Sequence, residues 1–162
     1  MYMFAASFKM NKLAAVTFLC SFTVLFAIIW IFFAFGVFQP ETAQVENLGK
    51  YSLKVSDKEE TTAFFRQFGL NVDFTNCVQR EIIIPEKFDS LYEEYNNLQK
   101  SQGLDLSKYK GQNAQQRIYP IITDNRQEYY AVLIVIRDKV VGGHLNTGGI
   151  DEPLLNFLGD KA

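Results

Sequence analysis

Between Leu13 and Phe38 the chain carries no charged side chain, and beyond Glu41 its apolar positions become sparse and periodic. The first pattern predicts one uninterrupted helix. At about 1.5 Å per residue, residues 13–38 would reach roughly 39 Å, enough to cross a hydrocarbon core of about 30 Å. The expected organisation is a cytoplasmic tail over 1–12, a transmembrane helix over 13–38, a polar juxtamembrane stalk over 39–49, and a domain over 50–162.

The domain opens with Tyr51, Leu53 and Val55 alternating with Ser52, Lys54 and Ser56, the period of a half-buried strand. Ser56 and Glu59 have capping-box spacing, Phe64, Phe65 and Phe68 share a helical side, and Gly69 followed by Leu70 matches a left-handed helix ending. These features predict a helix over 57–68. Residues 70–84 read as one or two strands. Pro85 suits the first turn of a second helix, with Phe88, Leu91, Tyr92, Tyr95 and Leu98 at helical spacing and Gly103 and Leu104 closing it.

Residues 105–111 form a turn-rich connector in which Leu106 and Tyr109 pin the loop to the core. Three strands are expected over 117–123, 129–136 and 140–146, the last two joined by a tight hairpin at Arg137, Asp138 and Lys139. The segment 152–158 carries enough Leu and Phe to dock as a short helix. The order implies an α+β fold: one N-terminal transmembrane helix, then a small two-layer domain with a mostly antiparallel sheet and two main helices on one face.

Charge fixes the expected orientation. Lys9 and Lys12 precede the apolar run and Glu41 and Glu46 follow it, so the positive-inside rule places the tail in the cytoplasm and the domain outside it. The chain is thus expected at the cell membrane as a single-pass protein, with the lipid bilayer as partner of residues 13–38. A cleaved signal peptide is the rival reading, with Ala34, Phe35 and Gly36 as a small-residue cleavage pattern; an apolar region of about 7–15 residues would suit it better than this long one. We therefore favour an uncleaved signal-anchor.

With Lys9 and Lys12 set apart, 14 basic and 18 acidic side chains leave the remainder at −4. This mixed, mildly acidic surface argues against nucleic acid as a partner. Its many aromatics argue for a folded core. Cys20 lies mid-span as apolar filler, which leaves Cys77 without an intramolecular disulfide partner.

Three stretches together carry a family resemblance: FRQFGLNV at 65–72, IPEKFDSLYEEYNNLQKSQGLDLSKYKG at 84–111, and DKVVGG at 138–143. The chain resembles, over about residues 55–146, the uncharacterised family named domain of unknown function 4830. The resemblance implies a bacterial domain, mostly Gram-positive, held behind one membrane segment or a signal. It supplies no catalytic residues. Leu70 stands where many relatives have Trp, and Arg137 where the hairpin often carries a smaller or polar residue.

No reaction chemistry is legible in the residues. His144 is the sole histidine, and no GxSxG elbow accompanies it. It reads as an exposed strand residue. One histidine and one external cysteine cannot build a tetrahedral zinc site, so no metal is expected. Glu93 and Glu94, about 100° apart on a helix, cannot face each other as glycosidase carboxylates. Gly142, Gly143, Gly148 and Gly149 match no phosphate-binding pattern and read as turn and close-packing glycines, so no cofactor is expected.

Tyr129, Tyr130 and His144 form the candidate interaction surface, since tyrosine serves both cores and recognition. The expected role is binding a protein or cell-envelope ligand rather than catalysis. The alternatives are a cell-envelope hydrolase using Asp138 and His144, and an accessory subunit of a membrane complex.

Overall fold

Helix α1 spans Lys12–Ala34 and carries no charged side chain after its first residue. The computed structural model describes residues 12–34, 40–46, 48–123, 129–146 and 153–160, and the chain divides into two units, 1–39 and 40–162. Among the described residues, no helix is long and apolar enough to cross a membrane. The end of the expected span, 35–38, and most of the tail lie outside the described residues.

The second unit begins earlier than its apolar period indicates. Strands β1 (Thr42–Val45) and β2 (Gly49–Ser52) form an antiparallel hairpin, so the segment expected as a stalk contributes a strand with Ala43 buried. Tyr51, Leu53 and Val55 are all buried, as their alternation predicts.

Helix α2 (Lys58–Arg66) is capped by Asp57, whose Oδ1 accepts from the Glu60 N–H at 2.8 Å, one position later than the Ser56 cap expected from sequence. Glu60 instead reaches back to the Ser56 N–H at 3.0 Å, tying the residue before the cap to the first turn. The helix ends as predicted. Gly69 has φ of +70°, and the Leu70 N–H donates to the Phe65 carbonyl at 3.1 Å.

Strand β3 (Val78–Ile83) leads to helix α3 (Ser90–Ser101), which starts about five residues after the expected Pro85. The reason is Asp89, whose Oδ1 accepts from the Tyr92 N–H at 2.8 Å and fixes the first turn there. A 3-10 turn over Leu106–Tyr109 follows, then β4 (Asn113–Pro120), β5 (Tyr130–Ile136) and β6 (Lys139–Asn146). The four strands make one antiparallel sheet in the order β3-β4-β5-β6.

The sheet is covered on both faces, which corrects the two-layer expectation. Ala131, Leu133 and Val135 of β5 pack with Phe64 and Phe65 of α2, whereas Ile134 and Ile136 pack with Tyr92 and Tyr95 of α3. Strand alternation therefore sends α2 and α3 to opposite faces. The α2 side holds an aromatic cluster in which Phe64 meets Phe157 edge-on at 5.4 Å and Phe65 meets Tyr119 at 5.2 Å. Residues 153–158, expected as part of a helix, instead pair Leu155 with Leu145 as a β-bridge and close a turn through the Gly159 N–H to Asn156 carbonyl bond at 3.0 Å.

The outer edge of β6 is bonded along its length. The Val140 N–H donates to the Leu53 carbonyl at 2.9 Å, Gln99 Oε1 accepts from the Gly143 N–H at 2.7 Å, Gln102 Nε2 donates to the Gly143 carbonyl at 2.7 Å, and Leu145 exchanges both its bonds with Leu155. Strand edges invite foreign pairing unless covered, and this one is closed by backbone and glutamine amides.

Candidate functional site

Helix α3 crosses its face of the sheet and leaves a cleft of about 770 Å³ open toward β3. Ile82 and Ile83 from β3, Leu91, Tyr92 and Tyr95 from α3, and Ile134 from β5 give it apolar walls. Leu91 is 74% exposed and Ile83 68% exposed, so the rim presents apolar surface to solvent. A concave, largely apolar cavity with a few convergent polar groups is the arrangement that ligand sites take.

Its polar groups are His144, Gln116, Asp89 and Glu94. His144 reaches the cleft because it pairs with Val132 across β5 and β6 and so points toward α3. There Nδ1 lies 2.9 Å from the Tyr95 hydroxyl, and the two rings meet edge-on at 5.5 Å. Burial holds the His144 pKa down at about 4, so the ring is neutral at pH 7. Burial likewise raises Tyr95, which stays protonated. The neutral pair can offer hydrogen bonds but holds no charge. The two carboxylates, Asp89 and Glu94, make the mouth acidic.

The sequence-predicted residues divide. His144 is half-buried beneath α3, not the exposed strand residue expected. Tyr129 and Tyr130 are half-buried and line no part of this cleft, so the three do not form one surface. Asp138 lies at the tip of the β5–β6 hairpin, 3.7 Å from Arg117, six positions along β6 from His144. At about 3.3 Å per residue the two stand too far apart for a proton relay. Gly148 and Gly149 lie outside the described residues.

Gly142 and Gly143 do act in close packing: a Cβ on Gly142 would come 2.9 Å from Leu106, and one on Gly143 would overlap Phe157 and the Val132 carbonyl. Among the described residues no group of three or more His, Cys, Asp or Glu side chains could hold a metal.

Sequence reasoning placed Tyr92 and Tyr95 on one side of the second helix but did not couple Tyr95 to His144. The signal was spacing of a weak kind: a single His following two glycines on a strand, where the absence of side chains next to it lets a helix approach closely. It also missed the polar groups that seat α3. Gln99 and Gln102 are fully buried, and Gln102 joins α3 to Gly143, to Gln99 Oε1 at 2.9 Å and to the Phe157 N–H at 3.0 Å.

No curated protein and no solved structure matches the chain. The model of one family matches residues 64–145, which run from α2 to the end of β6 and carry β3, α3 and His144. The chain belongs to that family, a domain of unknown function, DUF4830.

Proposed function

We propose that this protein is a membrane-anchored binding module whose ligand enters the cleft between α3 and the sheet. The observation that carries the reading is the cleft itself: an apolar cavity with an exposed aliphatic rim, a neutral Tyr95–His144 pair inside and two carboxylates at its mouth. Such surface is costly to leave in water, at about 25 cal/mol per Å² of apolar area, and a ligand that covers it recovers that cost.

Anchoring is supported by the uncharged run from Leu13 to Phe38 together with the helical backbone of α1. The lysines before the run favour a cytoplasmic N-terminus and an extracytoplasmic domain at the cell membrane. The separation of Asp138 from His144 removes the specific pairing on which the hydrolase alternative stood. An accessory role in a membrane complex remains compatible with the same cleft, since a partner subunit is one kind of ligand.

Two arms test the proposal. Protease added to intact cells should release residues beyond the apolar run; survival of that portion until lysis contradicts the location. A photoreactive side chain at Leu91, on the cleft rim, should give crosslinked products, whereas one at Ile122, equally apolar and 57% exposed but outside the cleft, should not. Equal crosslinking at both positions contradicts the cleft as the site.

A further inference from the structure

We propose that the cleft's occupant is an extended peptide that adds to the outer edge of β3 as a fifth strand and places one apolar side chain between Ile82 and α3. The proposal rests on the cleft being the binding site and adds what binds there. Its starting point is the contrast between the two edges of the sheet. Along β6, hydrogen bonds from Leu53, Gln99, Gln102 and Leu155 cover the edge. Along β3, no described residue bonds the outward backbone.

Which β3 groups face outward follows from register. Ile84 donates to the Gln112 carbonyl at 3.0 Å, and pairing from Ile83↔Asn113 back to Val78↔Ile118 runs without a bulge. Bonding alternates along an antiparallel pair, so Ile82, Arg80 and Val78 bond inward to β4, and Ile83, Glu81 and Gln79 present both N–H and C=O outward. A peptide running antiparallel would exchange bonds with these three residues, the mode by which extended segments extend a sheet.

Side chains set the peptide's chemistry. A residue directly opposite Ile82 shares its face, which is the α3 face, and so enters the cleft beside Leu91 and Tyr92. That residue is apolar, and an aromatic ring fills the space best. Opposite Glu81, on the other face, a lysine or arginine is favoured. Opposite Arg80, whose Nε donates to Gln116 Oε1 and keeps further donors free, a carboxylate is favoured. Written from its N-terminus, the matching core is Val-Phe-Lys-Glu-Thr, with valine opposite Ile83.

The test uses the full chain in detergent micelles with a synthetic capped peptide carrying that core between flanking threonines. Hydrogen exchange at the Gln79, Glu81 and Ile83 amides should slow at least tenfold at saturation, while Arg80 and Ile82, already bonded to β4, should change little. The same peptide methylated on the valine, lysine and threonine backbone nitrogens that face β3 keeps every side chain but loses its donors to Ile83, Glu81 and Gln79, and should bind at least tenfold more weakly. Glu81→Pro removes one outward N–H and no bond to β4; it should lose the peptide at an unchanged melting temperature.

Equal binding of the methylated and unmethylated peptides overturns strand addition and leaves a side-chain site in the cleft. No binding of either peptide, with crosslinking at Leu91 retained, also overturns it and again leaves the cleft reading standing. Loss of Leu91 crosslinking would strike the underlying reading instead.

Discussion

The hydroxyl of Tyr95 lies 2.9 Å from Nδ1 of His144, tying the middle of α3 to the edge strand across the floor of the cleft. That contact is made in the neutral state, because burial lowers the His144 pKa to about 4 from its usual 6.5. Below pH 6.5 the unfolded chain protonates this histidine while the folded chain does not. Stability is therefore lost as pH falls from about 6.5 toward 4, and the loss levels off below the folded value.

The effect of this one group is on the order of 3 kcal/mol at most. It is measured as the difference between the wild type and His144→Asn in urea unfolding at several pH values, which removes the contribution of acidic side chains common to both. An NMR titration of the ring with a midpoint near 6.5 would contradict the burial on which the argument stands.

Gln102→Leu should destabilise the second unit by about 2–4 kcal/mol, although the side chains are similar in size. The glutamine amide serves Gly143, Gln99 and Phe157 at once, and its loss leaves buried backbone groups without partners. Denaturant unfolding reads the change. A shift below about 0.5 kcal/mol would mean that water replaces the amide.

Gly143→Ala places a methyl group into the Phe157 ring and the Val132 carbonyl. Overpacking of this kind costs about 1–3 kcal/mol. Phe157→Leu alone should also destabilise, but the double variant should be more stable than the two separate losses predict, because the smaller side chain yields the space. Additive losses would show that the Val132 carbonyl, not the ring, is the obstacle.

The sequence discloses this fold where a rule is local. Gly69 with Leu70 and Gly103 with Leu104 end their helices as their residue types require, and both glycines have positive φ, +70° and +77°. The Arg137–Asp138 hairpin, the buried alternation at Tyr51, Leu53 and Val55, and the apolar strand over 131–136 are legible for the same reason. What escapes is what depends on a distant partner. Thr42–Val45 has no apolar period because only Ala43 is buried, and the strand exists by pairing with β2.

Gln99 and Gln102 look like solvent-facing helix positions until the edge of β6, some forty residues on, is brought against them. The opposite placement of α2 and α3 is likewise encoded in β5, whose unbroken apolar run tells that both faces are covered but not by which helix. His144 escaped for a related reason: a strand residue after two glycines reads as exposed until a helix closes over it.

The most direct measurement of the central claim is methyl and ring NMR of the full chain with phenethylammonium, an aromatic cation matched to the apolar walls and the acidic mouth. Saturating amounts should move the Ile82, Ile134 and Leu91 methyl signals and the His144 ring signals while leaving Ile122 unmoved. Shifts at Ile122 with a silent cleft would contradict the account.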